Sequence, residues 1–371
     1  MRLVALTVRA FRNLGDQTLD LPPAGVVLVG PNGQGKTSLL EAIGYPVLMR
    51  SFRTTRDAEL VRFGEPGFHL DLQFERGERR RTIGATVRPP ERRKQLELDG
   101  ETVTRIVAVA GQWQAVVFAP EDVRLASGPA AGRRLYLDRT LALADAGYLA
   151  ALLRYRSALR QRNAALRQGR LEVVRAFEPP LAEAGAVIVT RRRAWIAAMN
   201  PRFGALLAEL GESAADISLA YHGDAELAEP AAWAGRLRAA GARDQARQLT
   251  TVGPHRDDLV IRLAGHGLRW FGSTGQHRST AIALKLLELE TIRDAAGSWP
   301  ALLLDDVFAE LDATRQARLA GALFRDRSAQ VFLTSPRLDE LPGDLGLPVW
   351  RVDAGQVRTD RGGPGGSHGP E

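Results

Sequence analysis

The chain has 371 residues, 45% of them hydrophobic and 25% charged, which is ordinary for a folded protein of two or three domains. It contains no cysteine, so disulfides, thiolate catalysis and zinc–thiolate centres are excluded, and no apolar run approaches the roughly eighteen residues of a membrane span. The formal charge of +7 favours a polyanionic partner. It is carried almost wholly by arginine, since lysine occurs only at 36, 94 and 285. The N-terminal apolar stretch ends early, at Arg9 and Arg12, and is too short for a secretory signal, so a cytoplasmic location is expected.

Residues 3–8 read as a strand, and Val26-Val27-Leu28-Val29 as a short apolar strand. Then comes Gly30-Pro31-Asn32-Gly33-Gln34-Gly35-Lys36-Thr37, followed by the helix-forming Ser38-Leu39-Leu40-Glu41-Ala42-Ile43. The string matches G-x-x-x-x-G-K-[ST] and sits between a strand and a helix, the context a phosphate loop requires. Such a loop turns successive backbone N–H groups toward a β-phosphate, and the helix N-terminus adds to the field. Lys36 is placed to reach the β- and γ-phosphates, and the Thr37 hydroxyl to ligate Mg²⁺.

Residues 60–105 alternate in a β-like way (Leu70, Leu72, Phe74; Thr82, Ile83, Thr86, Val87) and predict a meander. Val116-Val117-Phe118 reads as another strand. From about 130 to 210 the period becomes helical. Tyr148, Leu152, Tyr155, Leu159 and Leu166 share one stripe, and Leu181, Ala184, Ile188, Trp195 and Met199 share another. Pro179-Pro180 lies between them, predicting two long helices folded back on each other. After 250 the α/β character returns. A helix around 275–296 carries Ile282, Leu286, Leu289 and Ile292 on one face. Ala301-Leu302-Leu303-Leu304 and Val331-Phe332-Leu333 read as strands buried on both sides. The Gly/Pro/Ser-rich tail 360–371 is expected to be disordered.

The 301–304 run ends in Asp305-Asp306, and carboxylates at the carboxyl end of a central strand lie beside the phosphate loop in such sheets. Asp305 is expected to hold Mg²⁺. Asp306, one residue on and so expected to point the other way, is expected to orient the attacking water as general base. Gly272-Ser273-Thr274-Gly275-Gln276-His277-Arg278 opens the 275–296 helix. Ser273 suits an N-cap, and with the Gly275 N–H it also suits a γ-phosphate at a helix N-terminus. No lysine sits in the N/T-K-x-D loop of a Ras-type GTPase, which favours adenine.

With these residues in this order, the chain resembles the ABC-type ATPases of the SMC class, and specifically the RecF family of bacterial recombination mediators. The strings that carry the likeness are Phe11-Arg12-Asn13, Ser51-Phe52-Arg53-Thr54, Phe118-Ala119-Pro120-Glu121-Asp122, Gly253-Pro254-His255-Arg256-Asp257-Asp258 and residues 304–312, ending Glu310-Leu311-Asp312. The resemblance implies an α/β ATPase lobe from 1–124 plus 250–359, with a helical lobe inserted at 125–249. It implies a two-fold dimer formed on ATP. Gly30 to Ser38 of one copy would hold each nucleotide, with Lys36 and Asp306 catalytic and Thr37 and Asp305 on the metal. The other copy would contribute the signature Ser273, Thr274, Gly275 and Gln276, with Glu310, Leu311 and Asp312 as a dimer loop. It also implies weak, DNA-dependent ATP hydrolysis used as a switch, and work at single-strand/double-strand DNA junctions with RecR, RecO and RecA.

The sequence departs from the wider pattern in places. Gly272 and Thr274 replace the general Leu and Gly, Thr334-Ser335 stand where transporters carry a switch histidine, and Asp306 is shorter than the usual glutamate. For the glutamine that bridges lobes to Mg²⁺, Gln112 and Gln114 are the nearest candidates. The basic clusters suggest a surface for duplex DNA. Residues 76–94 hold eight basic and two acidic side chains, among them Arg79, Arg80, Arg81, Arg92 and Arg93, and further clusters lie at Arg133-Arg134 and Arg191-Arg192-Arg193. Two other readings stay open: the ATPase subunit of a membrane transporter, and an ATP-switched scaffold with incidental turnover.

Overall fold

The computed structural model describes residues 1–89, 94–212, 217–309, 311–324 and 328–359. Packing divides the chain into one unit of residues 1–120 with the part from 298 onward, and a second of residues 121–297.

The first unit is built on two sheets. In the first, the order is Gln356–Thr359, Val349–Asp353, Gly25–Val29, Val331–Ser335, Ala301–Asp305 and Ala115–Phe118. All neighbours are parallel except the terminal hairpin of Val349–Asp353 with Gln356–Thr359. The continuous apolar runs belong here, as strands covered on both faces require: Val26, Leu28, Leu302, Leu303, Leu304, Phe332 and Leu333 are all fully buried. The second sheet is antiparallel, in the order Gln17–Asp20, Arg2–Arg9, Phe68–Arg76, Arg79–Val87, Lys94–Leu98, Glu101–Val103. The alternation expected over 60–105 is present, with Leu70, Leu72, Phe74 and Ile83 pointing into the core. Gln330 ties the two sheets together. Its buried amide accepts from Leu3 N at 2.7 Å and donates to Leu3 O and Pro22 O at 2.9 Å.

The second unit contains the helices Ala130–Ala144, Ala146–Arg167, Glu178–Glu209, Pro230–Arg247 and Thr274–Ala296, with a three-stranded antiparallel sheet of Ile217–His222, Asp258–Leu263 and His266–Gly267. Asp145 caps Ala146–Arg167, accepting from Gly147 N at 2.8 Å, and the proline pair stands in the first turn of Glu178–Glu209, where no N–H is needed. These two helices run antiparallel, as expected. The far end of the first reaches the start of the second (Arg162 to Glu178, 3.3 Å), while Tyr148 near its beginning meets Arg192 midway along the other (3.1 Å).

Residues 250–297, expected with the ATPase lobe, pack in this second unit instead. The reason is the Thr274–Ala296 helix, which is buried around most of its circumference rather than along one stripe. Tyr136 donates to Leu284 O at 2.6 Å, and Trp195 donates to the Thr291 hydroxyl at 3.0 Å. Two of its charges are internal as well. Glu288 is fully buried between Lys285 and Arg139, the latter at 2.7 Å, and burial lowers the Lys285 pKa.

Candidate nucleotide site

The loop after the Gly25–Val29 strand has the geometry its glycines predict. Gly33 and Gly35 adopt φ of +81° and +113°, a region that strains any residue with a Cβ, and Gly35 leads directly into the Lys36–Leu48 helix. At Gly30 a Cβ would lie 2.3 Å from Val352 O, so close backbone approach excludes a side chain. The outside of the loop is fastened to the terminal hairpin. Gln34 O accepts from Gly355 N at 2.9 Å, and Gln34 Oε1 accepts from Ala354 N at 2.6 Å. On its inner side Asn13 donates to Gly33 O and accepts from the Ser38 hydroxyl, both at 2.8 Å.

Lys36 is folded back on this loop, donating to Gly30 O and, at 2.9 Å, to Pro31 O. Burial lowers its pKa, opposed by the nearby Asp306, Asp305 and Glu340 carboxylates. Asp305, at the end of its strand, accepts from the Thr37 hydroxyl at 2.9 Å and the Thr334 hydroxyl at 2.8 Å. Thr334, where a transporter would carry histidine, thereby fixes the carboxylate, and its oxygen also accepts from Asp306 N at 3.0 Å.

Simple strand alternation sends consecutive side chains to opposite faces, yet Asp305 and Asp306 line one cavity. The strand stops at Asp305, and Asp306 takes a left-handed φ of +50°, which turns its side chain back. That is an unfavourable conformation for a non-glycine residue, though aspartate is among those that tolerate it best. The cavity, about 400 Å³, is lined by Asn13, Asn32, Lys36, Thr37, Asp305 and Asp306, together with Arg53 and Pro120. Its volume suits a small-molecule ligand.

Nothing in the sequence marks Arg53 and Asn13 as site residues beyond the strings Ser51-Phe52-Arg53-Thr54 and Phe11-Arg12-Asn13 that contain them. Their neighbourhood centres on Glu41, a fully buried carboxylate beneath the phosphate loop. Arg12 binds it through two nitrogens at 2.8 and 2.9 Å, Ser51 donates to it, and Arg53 Nη1 lies 3.7 Å away. Neither candidate bridging glutamine lines the cavity, and Gln112 accepts from Arg81 at 2.8 Å.

The signature segment belongs to the second unit and has its own order. Ser273 caps Thr274–Ala296 in a capping box: its hydroxyl accepts from Gln276 N at 3.2 Å while Gln276 Oε1 accepts from Ser273 N at 2.9 Å. Ser273 and Thr274 are exposed. Gly272 is explained by space, since a Cβ there would meet Leu268 O at 2.8 Å and the His277 ring at 2.9 Å. Asp312 caps Ala313–Leu323 by accepting from Arg315 N at 2.9 Å, Leu311 lies just before it, and Glu310 is outside the described residues.

The basic clusters divide. Arg133 and Arg192 were expected on a DNA surface, and burial removes both. Arg133 forks onto Asp258 at 2.7 and 2.8 Å, and Arg192 binds Asp138 and Pro254 O, each at 2.7 Å. Arg134 is half-buried and donates to Asp257 O at 2.7 Å, and Arg81 pairs with Asp99 at 2.7 Å. Arg191 pairs with Asp145 at 3.1 Å but stays exposed, as do Arg193 and the hairpin-tip residues Arg79 and Arg80. Arg92 and Arg93 fall outside the described residues. The internal arginines hold Gly253-Pro254-His255-Arg256-Asp257-Asp258 in place, which gives that string a structural role.

A phosphate loop and carboxylate pair on a parallel sheet, an antiparallel sheet beside it, and a capped signature helix in a helical unit define the ABC-type ATPase fold of SMC heads. The RecF/RecN/SMC N-terminal domain family matches residues 2–341. A DNA replication and repair protein RecF from Anaeromyxobacter sp. (strain Fw109-5) is 40% identical, over 96% of this chain and 99% of the relative. A solved structure of the recombination mediator protein RecF with ATP, in the RecFOR pathway, superposes with a TM-score of 0.87 at 29% identity, covering 96% of this chain and 97% of that one. An Smc head bound to the C-terminal winged-helix domain of ScpA shares the fold, with a TM-score of 0.54 at 15% identity over 97% of each chain. The chain belongs to the RecF family.

Proposed function

We propose that this chain is an ATP-dependent DNA clamp of the RecF type, closing as a two-fold dimer on ATP and opening on hydrolysis. The observation that carries the reading is the convergence of Lys36, Thr37, Asp305 and Asp306 on one cavity at the carboxyl end of a parallel sheet. Backbone N–H groups of residues 33–38 cradle the phosphates, and Lys36 exchanges its two loop carbonyls for β- and γ-phosphate oxygens. Asp306 accepts the proton of the attacking water. Thr37 and Asp305 suit Mg²⁺, being hard oxygen donors already in contact, and when bound the ion offsets charge on the phosphates. Among the described residues no group of three or more His, Asp or Glu could hold a metal alone, which agrees with a cation completed by nucleotide and water.

Ser273 and the Gly275 N–H of a second copy complete the γ-phosphate contacts, so ATP favours the dimer by contacts absent from the monomer. Exposed Arg79, Arg80, Arg191 and Arg193 supply sequence-independent DNA affinity. The cellular reading follows from the family: cytoplasmic action at single-strand/double-strand junctions, with RecR and RecO, to load RecA, and hydrolysis that is weak and DNA-dependent. Sedimentation velocity with and without ATP-Mg²⁺ tests the mechanism on wild type, Lys36→Met and Ser273→Arg. Dimers are expected only for wild type with ATP. If Ser273→Arg binds ATP and dimerises like wild type, the composite site is wrong.

A further inference from the structure

Immediately before the signature, the short helix Leu268–Phe271 holds two aromatic side chains out in solvent. Trp270 is 75% exposed and Phe271 67% exposed. The other five tryptophans of the chain are buried or half-buried, so Trp270 stands apart. Its position is held from both sides. Leu268 is fully buried beneath it, and the helix end is fastened by Gly272 N donating to Leu268 O at 2.8 Å. The His277 ring also contacts Leu268 O, at 3.0 Å. Arg269 lies over the Trp270 ring, 4.6 Å from its centroid, and the exposed His266 ring packs against Phe271 at 5.3 Å. Tryptophan, arginine and phenylalanine on an ordered support are the composition of an interface anchor.

We infer that Trp270 and Phe271 are the apolar anchor of the ATP-dependent contact with a second copy of this chain. The inference rests on the composite-site reading above and extends it to residues that touch no phosphate. The occupant follows from continuity. Trp270 precedes Ser273 by three residues, so their Cα atoms are at most about 11 Å apart. A standard interface covers roughly 800 Å² on each partner, a disc of about 16 Å radius. A contact centred on Ser273 therefore takes in the aromatic pair. Charge agrees with this: the patch is basic through Arg269, while the phosphate-loop cavity that it would approach on the other copy, its Asp305 and Asp306 balanced by Lys36 and Arg53, would hold a polyanion. Burying the pair contributes the apolar part of a contact whose polar part is the γ-phosphate.

The experiment is sedimentation velocity of the full chain with ATP-Mg²⁺, using wild type, Trp270→Ala and Phe271→Ala, with nucleotide binding measured separately by a fluorescent ATP analogue. Both variants should bind nucleotide like wild-type monomer and dimerise about thirtyfold more weakly or worse, the loss typical of a truncated aromatic anchor. In parallel, Trp270→Phe should remove most of an ATP-induced blue shift in tryptophan emission. If wild type dimerises on ATP and Trp270→Ala and Phe271→Ala dimerise equally well, the anchor assignment is wrong and the composite site survives. If wild type stays monomeric with ATP, both fall. A short single-stranded oligonucleotide that quenches Trp270 emission without ATP would also overturn the assignment, making the patch a base-stacking platform.

Discussion

Replacing Arg12 with methionine should loosen the phosphate-loop helix without touching a residue that reaches the nucleotide. Glu41 is fully buried, and two of its hydrogen bonds come from the Arg12 guanidinium at 2.8 and 2.9 Å. Without Arg12, the carboxylate keeps Ser51 and the longer 3.7 Å approach of Arg53. Removing one partner of a buried ion pair costs about 3–5 kcal/mol, because the remaining charge stays desolvated. Global unfolding is a poor readout in a chain of two units, so the assay is native-state hydrogen exchange in peptides spanning residues 36–48. Opening of that helix should become on the order of a hundredfold to several thousandfold more frequent. Arg12→Met with Glu41→Gln should recover part of the loss, since the stranded charge is gone. ATP affinity should fall as well, because Arg53 leans on Glu41 and Asn13 braces the loop through Gly33 and Ser38. Exchange accelerated less than about tenfold in the single variant, or no recovery in the double, would refute the claim that Arg12 neutralises Glu41.

Asp306→Asn should keep ATP-dependent dimerisation and lower the hydrolysis rate by about a hundredfold or more in a steady-state assay; a normal rate would remove Asp306 as the base. Burial pushes the His255 pKa down to about 4, and the neutral ring bridges the Tyr155 hydroxyl at 2.6 Å and Thr250 O at 2.9 Å. At pH 5 the unfolded chain binds a proton there and the native one does not, so stability is full above about pH 6.5 and falls by roughly 3 kcal/mol toward pH 4. His255→Asn should flatten that part of the pH dependence in exchange of the second unit, and an unchanged slope would reject the assignment. Arg192→Ala should speed hydrogen exchange in the second unit by an amount matching about 1.5–3 kcal/mol, because Asp138 loses one cation but keeps Arg156 at 2.9 Å and the Tyr148 hydroxyl at 2.6 Å; unchanged exchange would reject the assignment. Arg79→Ala should leave stability nearly unchanged and reduce the salt slope of DNA binding by about one; the reverse pattern would invert the division of the arginines.

Much of this molecule is visible in its sequence, because the relevant signals are local. A glycine-rich loop between an apolar strand and a helix can do little else than turn N–H groups inward, so residues 30–38 read correctly as a loop and helix start without any tertiary information. Alternation gave the meander of the second sheet, and the helical stripes with Pro179-Pro180 gave the antiparallel pair, since burial imposes a period of two or of 3.6. The order of phosphate loop, signature and carboxylates pointed to the SMC class, and contiguous strings such as Phe11-Arg12-Asn13 and Ser51-Phe52-Arg53-Thr54 to the family.

Where sequence reading failed, the deciding partner lay far along the chain. Arg133 and Arg192 read as surface charge because nothing local shows that Asp258 and Asp138 will meet them in a buried unit. The 275–296 helix read as carrying one apolar face through Ile282, Leu286, Leu289 and Ile292, and nothing local shows that Lys285 and Glu288 are also buried, paired with each other and with Arg139. Asp306 read as opposite to Asp305 because its left-handed turn cannot be told from a strand that continues. Composition, periodicity and contiguous motifs are properties of neighbours in sequence, so the sequence alone determined the elements, the family and the phosphate loop. Which charges are buried, which residues line the cavity and where the two units divide depend on contacts between distant segments, and only the tertiary structure decided those.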